Sequence, residues 1–304
     1  MKTNRIFLGV IGLLIAVFCS INYAIAGGNV TIINKTKAPL YCYNQDFGAN
    51  KPAIQIMPFP IPVKGHTNFK LVNKMEQRIY FAQAPLTQSI DKPKPFIWWF
   101  PKIGDTQYMQ PNSFVEYNGS LAGKYVINIS YIDGWSYPVT FQFQNGMDGG
   151  TKTSRIEAGF EYGFKDANEV RNQLVQEGWG GLIWPKTTNS FMNFNRVIGP
   201  SPVYSYSGPK PQCYNDWLQT FPASGTQIFG KSHENAAYWQ LALSPELDKT
   251  GYSKALHNAM GKPDKYGKYG FYIAPQDQDQ GDFENVEETN LCTITIYPLA
   301  KNEQ

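Results

Sequence analysis

Between residues 30 and 143 the chain is a succession of short runs rich in β-branched and aromatic residues. They fall at 30–33, 40–43, 69–72, 78–82, 96–100, 114–117, 125–132 and 139–143, with Pro, Gly and Asn between them. Short strands at this spacing, punctuated by turn residues, predict a sandwich or barrel. The pattern then changes. Asp166-Ala167-Asn168-Glu169 reads as a capping box, with Val170 and Leu174 on one helical face and Gly178 as the stop. Helical patterns follow at 234–243 and 252–260, the second ended by Gly261 and Pro263. Strand patterns resume at 271–274 and close at 291–297. This order predicts a mainly β protein with a β core over 27–144 and 266–300. A mixed α/β insertion lies between about residues 145 and 265.

The first 26 residues pattern differently. Lys2 and Arg5 precede an apolar stretch over 6–19, and Ala24-Ile25-Ala26 forms a small-residue cleavage site. That pattern reads as a signal peptide, and the apolar stretch is short for a spanning helix. Residues 27–304 are therefore expected to be secreted or periplasmic, with no membrane attachment after cleavage.

Charge and composition narrow the partners. The chain has 27 Lys and Arg against 24 Asp and Glu. Removing Lys2 and Arg5 with the leader leaves the mature chain close to neutral. Nucleic acid and acidic membrane surfaces both reward a net basic face, so neither is expected as a partner. The 19 Tyr, 19 Phe and 7 Trp, with low charge, suit an extracellular β protein. Most of these rings belong in a core. The remainder suit carbohydrate, whose C–H faces stack on aromatic rings. A monomer is expected. Three mature cysteines remain, Cys42, Cys213 and Cys292. An oxidising compartment permits one disulfide, and a bridge from Cys42 to Cys292 is the expectation, although spacing cannot decide connectivity.

Several motifs match chemistry in letters only. Gly225 to Ser232, "GTQIFGKS", fits the phosphate-binding loop pattern, but no buried-strand run precedes it. Asp277 to Glu288, "DQDQGDFENVEE", approximates a calcium loop, but Gly281 falls one place early. It reads as a solvated acidic loop. His66, His233 and His257 are dispersed and make no i, i+4 zinc pair. No cofactor is expected.

Two carboxylates stand out against the strand pattern. Glu116 lies between Val115 and Tyr117, and Asp133 ends the longest run just before Gly134. If the two strands pair through the turn over 118–124, both carboxylates border one groove. Glycoside hydrolysis needs such a pair, one acid to protonate the leaving oxygen and one carboxylate to act on water or carbon.

The segments "FVEYNG" and "VINISYIDGWSYPV" resemble the strand pair of the thaumatin-like fold, especially glycoside hydrolase family 64, the laminaripentaose-producing β-1,3-glucanases. "VTIINKTKAPLYCY", "RIYFAQAPL", "NRVIGPSPV", "YGFYIAPQDQDQGDF" and "LCTITIYP" agree in order. The resemblance implies a thaumatin-like β-barrel or sandwich, with the α/β insertion forming one wall of an open cleft. It implies Glu116 as general acid and Asp133 as general base of an inverting attack on β-1,3-glucan. It also places Asp277 where thaumatin-like proteins carry a further cleft carboxylate. Two features depart from the plant branch. Ala82 and Gln83 stand where an arginine would follow the "RIW" strand, and the many-disulfide framework is absent.

Substrate contacts are expected from Trp135 and Tyr131, which flank Asp133, and from "PFIWWFP" at 95–101. Adjacent strand residues face opposite sides, so Trp98 and Trp99 cannot share one core layer. One of them borders the cleft as a sugar platform or packs beneath the insertion. The sequence thus supports a secreted β-1,3-glucan hydrolase, with a non-catalytic glucan-binding protein as the alternative.

Overall fold

The computed structural model describes residues 30–46, 54–56, 60–72, 77–83, 111–119, 123–131, 135–177, 183–184, 196–197, 252–271 and 281–299. Outside this set lie the leader, the run at 96–100, the helix pattern at 234–243, the phosphate-loop match, Cys213, Trp98, Trp99, Asp133 and Asp277.

Two sheets share one core. The five-stranded sheet contains β1 (Val30–Asn34), β4 (His66–Phe69), β8 (Val139–Phe143), β11 (Glu161–Gly163) and β15 (Cys292–Ile296), in the order β11-β8-β15-β1-β4. The first and last described strands pair in parallel, Val30 opposite Cys292. Long-range closure of this kind ties both ends of the fold to one sheet. The six-stranded sheet contains β2 (Tyr41–Asp46), β3 (Ile54–Ile56), β5 (Gln77–Ala82), β6 (Asn112–Gly119), β7 (Lys124–Ile129) and β14 (Asp282–Glu287), in the order β14-β7-β6-β5-β2-β3. Alternation does the sorting. Val30 and Ile32 of β1 meet Ile79, Phe81, Val115, Ile127 and Ile129 of the other sheet in one buried cluster. No helix among the described residues is long and apolar enough to cross a membrane.

The short β9 (Met147–Asp148) and β10 (Arg155–Ile156) form a hairpin, after which β11 pairs with β8. The chain just past residue 145 therefore contributes a strand to the five-stranded sheet. Helix α1 (Ala167–Gln176) follows the expected cap: Asp166 accepts a hydrogen bond from the Asn168 amide at 2.8 Å, and Val170 and Leu174 are fully buried. The capping box itself does not form, because Asp166 caps the second helical amide rather than the third and Glu169 accepts from Gln173. A two-stranded ribbon, β12 (Ile183–Trp184) with β13 (Arg196–Val197), precedes α2 (Tyr252–Met260), which packs on α1. Gly261 ends α2 at φ 94°, where only glycine sits without strain.

Three expectations change. The strand expected at 69–72 lies earlier, at His66–Phe69, as an edge whose side chains are polar except Phe69. The acidic segment is not a solvated loop over its second half. β14 pairs with β7, and a register shift between Phe283 and Val286 brings both into the core although they are three residues apart. Asn285 absorbs that bulge at φ 57°, a conformation asparagine tolerates. Finally, Cys42 and Cys292 are not bridged. They sit on different sheets as free, buried thiols, and burial pushes both well above the ordinary thiol pKa. They behave as small core hydrophobes.

One titrating group couples the fold to pH. Glu161 on β11 accepts from Thr140 at 3.0 Å and from Tyr297, and pairs with Lys165 at 2.5 Å. Partial burial raises its pKa, but these donors outweigh burial and the net shift is downward. A carboxylate lowered on folding stabilises the protein above the unfolded value of about 4.3, and that contribution vanishes as pH falls through the folded value. Glu161→Gln should therefore melt below the unmodified protein at neutral pH. The difference should shrink on acidification below about pH 4. Parallel melting curves across pH, with a constant offset, would contradict this.

Candidate functional site

β6 and β7 are adjacent and antiparallel, with Glu116 directly opposite Asn128. On β6, Ser113, Val115 and Tyr117 point into the shared core, leaving Phe114, Glu116 and Asn118 on the outer face. The same alternation puts Arg78 and Tyr80 of β5, and Val126 and Asn128 of β7, on that face.

The outer face has two characters. Toward one end Tyr43, Tyr80, Ala82 and Phe114 form a second buried cluster, with Tyr80 and Phe114 rings 5.5 Å apart. Toward the other end the surface opens into a groove of about 360 Å³ lined by Gln77, Arg78, Glu116, Tyr117, Asn118, Val126 and Asn128. Glu116 stands at the junction, its side chain 24% exposed. Arg78 contacts Glu116 at 2.5 Å across the strand pair, and its guanidinium lies 4.6 Å from the centre of the Phe114 ring. The aromatic row thus supports the arginine, and the arginine fixes the carboxylate. This explains how a strand carries a carboxylate between Val115 and Tyr117: the neighbouring strand supplies its counter-charge.

Beneath the groove floor lies a second polar set. The Tyr117 hydroxyl donates to Asn44 Oδ1 at 2.8 Å, and Asn44 Nδ2 donates to Gln77 Oε1 at 3.1 Å. These bonds fix β2, β5 and β6 in register, so the groove floor is rigid where Glu116 projects. Asp282 of β14 takes the register position beside Asn128, two strands from Glu116, and is 7% exposed.

Of the residues expected at the site, Glu116 lies in the groove. Asp133, Asp277, Trp98 and Trp99 lie outside the described residues. Trp135 and Tyr131 are corrected: both are core. Trp135 is 2% exposed, with its ring centre 5.0 Å from Tyr131 and 5.2 Å from Phe164. Tyr131 stacks on Phe164 at 4.4 Å, and its hydroxyl donates to the Val139 carbonyl. The place of Trp135 two residues after Asp133 suggested a ring beside the ligand. Instead, paired backbone hydrogen bonds at 2.9 Å join Trp135 to Val197 and pin the segment. Sequence reasoning missed Arg78, Asn118, Asn128 and Asp282. The "RIY" run signalled a strand, but only the pairing register shows that Arg78 faces Glu116. Among the described residues no cluster of three or more His, Cys, Asp or Glu could hold a metal ion.

No protein-family description matches this sequence, and no curated protein matches it. Among solved structures, a β-1,3-glucanase domain (GH64) from Clostridium beijerinckii is similar over 88% of this chain and 98% of that chain, at 12% identity and a TM-score of 0.43.

Proposed function

We propose that the exported chain is a glycoside hydrolase that cleaves β-1,3-glucan with inversion. Glu116 protonates the glycosidic oxygen as the C–O bond breaks. Asp133 takes a proton from the water that attacks the anomeric carbon from the opposite face. The observation that carries this reading is the position of Glu116. It is a half-buried carboxylate on a paired strand, facing an open groove otherwise lined by neutral polar groups, Val126 and one arginine. The strand-pair motifs around Glu116 and Asp133 support the same assignment by resemblance.

One observation favours non-catalytic glucan binding instead. Arg78 engages the Glu116 carboxyl group at 2.5 Å in the free protein, so the group is held by the neighbouring strand rather than turned to a leaving oxygen. Turnover therefore requires that substrate entry loosen this contact. Reducing-sugar release from laminarin, run beside pull-down on insoluble β-1,3-glucan, separates the two. Release supports hydrolysis, binding without release supports the non-catalytic protein, and the absence of both rules out a glucan site.

Stereochemistry is a further expected outcome. Direct water attack gives the α-anomer first, visible by proton NMR early in hydrolysis. An initial β-anomer would mean retention, through a closer carboxyl pair and a covalent intermediate.

A further inference from the structure

We propose that Asn128 is the hydroxyl-anchoring residue of the groove, its carboxamide hydrogen-bonding a sugar hydroxyl beside Glu116; this deepens the glucan reading and rests on it. Asn128 sits between Ile127 and Ile129, whose side chains are fully buried in the shared core, so its own side chain takes the outer face. It is the direct cross-strand neighbour of Glu116, which places the two Cβ atoms about 4.5–5.5 Å apart.

Its Oδ1 is buried and has no hydrogen-bond partner among the described residues. With Oδ1 shut away, Nδ2 is the polar atom left to reach the groove. A buried, unpaired amide atom is a standing cost in the free protein, and an apolar side chain of the same shape would avoid it. Compensation must come from the atom that faces the groove.

The other polar groove side chains already have partners, Asn118 included. Arg78 and Glu116 hold one another, and Gln77 and Tyr117 bond Asn44 beneath the floor. The charged pair neutralises itself, so a charged ligand gains little from it. The carboxamide nitrogen donates, and a sugar hydroxyl oxygen accepts. Val126 beside it presents an apolar patch to the C–H face of a ring. A neutral, polyhydroxylated ligand fits this combination.

Ser130 supplies an internal control. It follows on the same side of the chain, and its Oγ is likewise buried without a partner among the described residues, but it does not line the groove. The test is calorimetric titration with a β-1,3-linked glucose pentasaccharide, together with melting curves and steady-state kinetics on laminarin. Asn128→Leu should bind roughly tenfold more weakly, the equivalent of one hydrogen bond. It should melt at or above the unmodified protein, because the unpaired atom is gone. In the kinetics KM should rise more than kcat falls. Ser130→Ala should bind as the unmodified protein does. Unchanged affinity in Asn128→Leu overturns the assignment, as does a melting point several degrees lower, which would make the amide a structural group. If the unmodified protein itself fails to bind the pentasaccharide, the glucan reading fails and takes this assignment with it.

Discussion

Glu116→Gln should lower turnover on laminarin by roughly two or more orders of magnitude while leaving glucan binding in place. Glutamine keeps the size and hydrogen-bonding reach of the side chain but has no proton to give the departing oxygen. The comparison is clean because the fold does not depend on the charge. Glu116 is 24% exposed, and its pair with Arg78 is partly solvated, so losing it costs at most about 1 kcal/mol. The core beneath, from Val115 through Ile127 and Ile129, is untouched. Melting should therefore shift little, and any loss of rate is chemical. Two measurements decide the matter: initial rates of reducing-sugar release and retention on insoluble glucan. A variant that hydrolyses at the unmodified rate removes Glu116 from the mechanism. A variant that neither hydrolyses nor binds makes the carboxylate a ligand contact and favours the binding protein.

Strand positions were largely legible because alternation against a buried face leaves a period of two in the sequence. β1, β5, β6, β8 and β15 lie where that period placed them, as does α2 with its Gly261 cap. The failures have local causes. β14 was hidden because its bulge spaces Phe283 and Val286 three apart and breaks the alternation. β11 was hidden because three residues are too few to show any period. For the site, the odd carboxylate within β6 was visible, but its partner was not. Which residues share a face across strands depends on register, and register is fixed by pairs far apart in sequence, such as Arg78 with Glu116 and Glu116 with Asn128. Aromatic residues were the least readable class. A tryptophan beside a predicted catalytic residue looks the same in sequence whether it lines a cleft or fills a core.

Trp135 makes that distinction measurable. Trp135→Ala should destabilise the protein by about 3–5 kcal/mol, the usual cost of deleting a large buried ring. For a chain of this size the melting point should fall by on the order of 10 °C. The ring packs against the stacked Tyr131 and Phe164 pair, and Phe271 closes the same cluster against Tyr131 at 5.7 Å. An alanine leaves a cavity that neighbours on a paired backbone cannot collapse to fill. The backbone on either side is fixed as well. Trp135 is hydrogen-bonded to Val197, and Ser113 Oγ accepts from the Ser136 and Tyr137 amides while donating to the Tyr137 carbonyl. These contacts hold the segment that follows Asp133 against β6, the strand that carries Glu116. Trp135→Phe should recover part of the stability, because a smaller ring still packs on Phe164. Glucan binding by the folded fraction of Trp135→Ala should match the unmodified protein, since the ring does not line the groove. A sugar platform would behave in the opposite way, with an unchanged melting point and binding weaker by roughly 1–3 kcal/mol, by analogy with stacking on nucleic-acid bases. Melting curves and glucan affinity measured on the same preparation therefore decide whether Trp135 supports the site from below or touches its ligand.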